Sequence, residues 1–198
     1  MEFLMAARSL GRLLVPFCLL SIVVASADDR HDKHIKKLNE LSARLNRYAT
    51  DEESTPERDF LHARITELLV RARGSAKDNY LFGRLVAAID DFLDASEQIE
   101  DALEDGPGDS DTQQRAAREL EDTYFDLKQG EHFAKQSTVP RANEFIRTGR
   151  RLYQTARAAY ELGEYAKSRD LAEAARELVA GLESLAQAAV PIPTPPKL

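Results

Sequence analysis

Two histidines three residues apart, His31 and His34, stand among Asp28, Asp29 and Asp32 in the stretch "DDRHDKH". Imidazoles at that spacing share one face of a helix and can hold a divalent cation, with carboxylates completing the shell. A copper-type terminal motif needs histidine third from a free amine, and cleavage before Asp28 would place His31 fourth. Asp59 and His62 repeat the three-residue spacing, but di-iron bundles use Glu-x-x-His twice, and that tetrapeptide does not occur here. His132, beside Phe133, is a candidate haem ligand, although a histidine in the last turn of a helix is already favoured by the helix dipole. The acidic run "EQIEDALEDGPGDSD" offers oxygen ligands without the EF-hand order of alternating acids, central glycine and terminal glutamate. A metal- or small-ligand-binding reading therefore rests on His31 and His34, or on His132. No cofactor is predicted.

Tyr153 and Tyr160 are seven residues apart, hence on one face of a helix, and Tyr165 follows soon after. Tyrosine combines apolar area with a polar tip, which suits the rim of a binding groove. These three residues form a candidate partner-binding edge; they suit the edge of a helical core equally well.

Composition narrows the chemistry further. The chain of 198 residues carries a formal net charge of −7, one cysteine, two methionines and no tryptophan. Such a surface repels phosphate backbones, so no nucleic-acid partner is predicted. Arg8 and Arg12 precede an uncharged apolar run from Leu13 to Val24, followed by Ala25, Ser26 and Ala27. This is the layout of a secretory signal peptide with an Ala-x-Ala site, covering residues 1–27. The run is shorter than the roughly 20 residues of a transmembrane span, so no stable membrane insertion is expected after cleavage. Cleavage removes Met1, Met5 and Cys18, leaving a chain without the sulfur chemistry of disulfides, thiolate nucleophiles or Cys-type zinc sites. The expected location is periplasmic or extracellular. At the other end, "VPIPTPPKL" has four prolines, and residues 191–198 are expected to be a disordered tail.

Everything between reads as helix. Leu81, Leu85, Ala88, Phe92, Ala95, Ile99 and Ala102 alternate spacings of four and three, and Phe82, Val86, Ile89 and Leu93 widen the stripe. Leu171, Ala175, Leu178, Leu182, Leu185 and Ala189 follow the same rule, as do Ile146, Gly149, Tyr153, Ala156 and Tyr160. Capping boxes at Ser54/Glu57 and Ser110/Gln113, the breaker "GPG", and "STVP" at Ser137 mark helix starts. The prediction is helices over 31–48, 56–73, 77–104, 112–135, 140–162 and 165–189, with 56–104 either two helices or one bent at Gly74. Short connections make consecutive helices neighbours. The fold class is all-α: one domain, residues 28–190, an antiparallel bundle of about five to six helices built from hairpins.

The segment "AAYELGEYAKSRDLAEAARELV" resembles a tetratricopeptide repeat hairpin, in one copy over about residues 149–182. Tyr160, Gly163, Tyr165 and Ala175 stand where that family places its turn aromatics, turn glycine and small packing residue, and Leu152 and Ala156 fit its first helix. Ser168 and Ala172 depart from the pattern. The resemblance implies a protein-interaction scaffold with no chemistry of its own. The same residues also serve a plain bundle corner, in which Gly163 ends a helix and Gly149, Ala156, Ala159, Ala172 and Ala175 let two backbones approach.

The expectation is a non-enzymatic exported helical protein that binds a protein or peptide partner.

Overall fold

A computed structural model describes residues 29–48, 55–104 and 110–189. The expected signal peptide, Ser54 and the proline-rich tail lie outside the described residues. Six helices follow in order: α1 Asp29–Tyr48, α2 Pro56–Gly74, α3 Asn79–Glu104, α4 Ser110–Gln136, α5 Ala142–Glu161 and α6 Tyr165–Ala189. Among the described residues there is no strand. The protein is an all-α helical bundle.

The boundaries follow from local chemistry. Pro56 opens α2, where its missing N–H leaves nothing unsatisfied. The side chain that caps this helix is Thr55, whose Oγ1 accepts from the Arg58 N–H at 3.2 Å. The expected Ser54 cap is thus displaced by one residue, because Thr55 directly precedes the proline and its hydroxyl reaches the first turn.

The segment 56–104 is two helices. Ser75 ends α2 by donating its N–H to the Arg71 and Ala72 carbonyls, and Asp78 Oδ1 accepts from the N–H groups of Tyr80 and Leu81 to start α3. Gly163 closes α5 at φ 82. Its N–H donates to Tyr160 O at 3.1 Å and the Glu164 N–H to Ala159 O at 2.9 Å. This pair of bonds is the Schellman arrangement, which satisfies carbonyls that the end of a helix leaves open.

One buried cluster draws on all six helices, with Leu38, Leu41 and Leu45 contributed by α1, Leu127 and Ala134 by α4, and Phe92 at full burial from α3. The order of packing departs from the order of the chain. The main neighbour of α3 is α6, and α6 also packs on α4 and α5. The expectation that each helix lies beside the next fails between α3 and α4, and the reason is visible in α6. Beyond the stripe of Leu171, Ala175, Leu178, Leu182 and Leu185, this helix also buries Ser168, Ala172, Ala174, Val179 and Gly181. Small residues around its circumference let three helices approach it at once. Thr123 of α4, itself buried, donates its hydroxyl to Ala172 O at 3.1 Å. At Gly149 of α5, an added Cβ would stand 3.0 Å from a Leu127 methyl of α4 and 3.5 Å from Ala175 O of α6.

Peripheral α1 is held differently. Its extensive contacts are with α2 and α3, through its three leucines, His34 and Arg44. Arg44 donates from Nε to Glu97 at 2.6 Å and pairs with Asp94, and it reaches Asp90 at 3.4 Å. Lys37 adds a bridge to Asp90 at 3.1 Å.

Candidate functional site

The three tyrosines of the expected edge are divided between two aromatic groups. Tyr160 of α5 and Tyr165 of α6 meet edge to face across the Gly163 corner, with ring centroids 5.2 Å apart at 61°. Leu162, in the same corner, is 76% exposed. Tyr153 lies two turns earlier on α5, about 10 Å along the axis at 1.5 Å per residue, too far for it to join that pair. It packs partly buried against the core, and its ring faces Tyr124 of α4 at 6.3 Å. Tyr124 in turn meets Phe125 edge to face at 5.7 Å, and the Lys128 ammonium lies 5.6 Å over the Tyr124 ring.

Tyr124 and Phe125 are 46% and 56% exposed. Three rings and a cation therefore form a surface edge over the α4–α5 seam. Large apolar rings left this open on a helix are the side chains that dominate partner interfaces. Sequence reasoning did not single out Tyr124 and Phe125 as binding residues. Adjacent residues on a helix point about 100° apart, so two neighbouring aromatics cannot both face one narrow core stripe; that was the available signal.

A groove of about 590 Å³ runs on another side of α5, between it and the ends of α2, α3 and α6. Ile99, Leu103, Leu152 and Leu171 line it together with Arg151 and Glu57, which are joined at 2.9 Å. None of Tyr153, Tyr160 and Tyr165 lines it.

The candidate metal ligands are dispersed. His34 stacks on Phe82 at a centroid distance of 3.9 Å, with Nδ1 3.2 Å from Ala76 O, so it ties α1 to the α2–α3 corner. His132 is exposed on α4 and bonded to Gln136 at 3.0 Å. The side chain of His31 lies outside the described residues, as do those of Ser110 and Asp111. Among the described residues no group of three or more His, Cys, Asp or Glu side chains could hold a metal ion.

Two carboxyls at the α3–α6 interface, Glu177 and Asp91, are shifted upward. The Glu177 carboxyl is pushed up to about 7, mainly by burial and further by the neighbouring charges of Asp91, Asp94 and Glu173, with Arg176 opposing. Asp91 is also raised by burial, although the Ser184 hydroxyl donates to it at 3.2 Å and holds it down in part.

No protein-family model, curated protein or solved structure matches the chain. The fold defines its class as an all-α helical bundle. Among the described residues no helix is long and apolar enough to cross a membrane.

Proposed function

We propose that the protein is an exported, non-enzymatic helical scaffold that binds another protein or peptide through the α4–α5 aromatic edge. The observation that carries this reading is the contact chain Phe125–Tyr124–Tyr153, whose first two rings are exposed. Rigid aromatic rings supply contact area at low entropic cost when they are fixed on helices, and Lys128 adds a polar margin. The Tyr160–Tyr165 pair beside exposed Leu162 extends apolar surface to the α5–α6 corner. Export rests on the signal-like sequence of residues 1–27.

The test is photo-crosslinking from Phe125 in an envelope extract, followed by quantitative binding of the captured partner to the wild type, Tyr124→Ala and Tyr160→Ala. A saturable partner that binds at least about tenfold more weakly to Tyr124→Ala, with thermal melting unchanged, supports the aromatic edge. A partner that both variants bind as tightly as the wild type rejects it. Loss in Tyr160→Ala alone would transfer the site to the corner.

A further inference from the structure

Three arginines surround a cavity of about 340 Å³ where α6 ends, in a chain whose net charge is −7. Arg64 and Arg71 come from α2, and Arg141 from the turn between α4 and α5; Leu68, Phe145 and Leu185 supply apolar lining. Arg64 pairs through Nη1 with Glu67 at 2.7 Å, and its side chain is only 13% exposed. Its Nε is nevertheless buried with no hydrogen-bond acceptor among the described residues. A buried donor in that condition carries the full cost of its lost hydration.

Arg71 meets no carboxylate among the described residues. Arg141 reaches Glu144 only at 3.9 Å. Its backbone sits at φ 63, ψ 21, in the left-handed region. Non-glycine residues held there are uncommon and gather at ligand clamps and other functional positions. Three cations against the single carboxylate lining the cavity, Glu67, leave positive charge facing an apolar interior.

We propose that this cavity binds a small amphipathic monoanion: a carboxylate carried on a short aliphatic chain. The planar guanidinium forks of Arg71 and Arg141 match a carboxylate in two-point contact. The apolar lining takes the chain. Glu67 at the same opening disfavours a dianion such as a phosphate ester, and the volume falls within the roughly 300–1,000 Å³ of small-molecule sites. The cavity shares no residue with the aromatic edge or the α5 groove, so the inference stands apart from the proposed partner binding.

Calorimetric titration of the full chain with decanoate tests it, with decan-1-ol, decyltrimethylammonium and inorganic phosphate as comparisons. The expected result is saturable binding of decanoate at one equivalent. Arg71→Gln/Arg141→Gln, at two exposed positions, should weaken it about tenfold with the thermal melt unchanged. Arg71→Gln alone serves if the double variant melts early. Decan-1-ol binding as tightly as decanoate, decanoate binding undiminished in either variant, or no saturable heat with decanoate would overturn the proposal. Saturable phosphate binding as tight as that of decanoate would overturn the assignment to an amphipathic anion.

Discussion

Gly181 of α6 lies directly against the ring of Phe92 of α3: a Cβ added to it would stand 2.6 Å from Cδ1 and 2.8 Å from Cζ. The ring cannot easily give way, because Phe92 is fully buried and stacks on Phe145 at 4.8 Å and 11°. Overpacking of this kind costs about 1–3 kcal/mol, set against about 1 kcal/mol from replacing a helical glycine by alanine. Gly181→Ala should therefore lower the urea midpoint. Gly83→Ala is the counterpart: nothing lies within 4 Å of its added Cβ, and stability should rise by about 0.5–1 kcal/mol. Equal shifts in the two variants would show that α3 and α6 do not approach at Gly181.

Glu177 gives the protein a pH dependence of defined sign. As pH rises through 4.5 the unfolded chain releases this proton, whereas the folded state keeps it until about 7. The folded state binds more protons across that window, so this group's contribution to stability falls as pH rises and stays reduced above it. Glu177→Gln should melt higher than the wild type at about pH 8, by about 1 kcal/mol once solvent screening is allowed for, and alike at about pH 4. A difference between the two proteins that does not change over this range would remove Glu177 as its source.

Arg44 binds α1 to three carboxylates of α3. Arg44→Ala leaves those carboxylates facing one another without their shared cation, and removing one partner of such a network costs about 1–3 kcal/mol. Because α1 is the helix with the least tertiary packing, the loss should be local. Hydrogen exchange should accelerate over residues 29–48 while α3 and α6 stay protected. Uniform acceleration across all six helices would mean that α1 unfolds together with the rest.

The corner at Gly163 stands at φ 82 with nothing near its missing side chain, so its substitution isolates backbone strain from packing. Gly163→Ala should cost about 1–2 kcal/mol, and Gly163→Asn less, since asparagine visits the left-handed region more readily. Thermal melting compares the three proteins directly; an alanine variant as stable as the wild type would place the corner in another conformation.

The helices themselves were legible in the chain. The expected segments agree with α1 to α6 within two residues at each end, because apolar periodicity, prolines and capping side chains act within a few positions of one another. Of the small residues expected to let two backbones approach, Gly149, Ala156, Ala159, Ala172 and Ala175 are all buried, and an added Cβ at Gly149 would stand 3.5 Å from the Ala175 carbonyl. Grouping of the tyrosines was less accessible. Tyr153 and Tyr160 share a face of α5, yet their ring partners, Tyr124 and Tyr165, belong to other helices.

By itself, then, the sequence determined an all-α protein, where its helices start and stop, and which stripes they bury, since all of these depend on neighbours within one or two turns. Only the tertiary structure decided that α6 would be the principal partner of α3, that Tyr124, beside Phe125, would meet Tyr153 at an open edge, and that Arg64, Arg71 and Arg141 would line one cavity. Those outcomes depend on how whole helix surfaces fit. The arginines lie up to 77 positions apart along the chain, and no local pattern specifies which distant faces will close on one another.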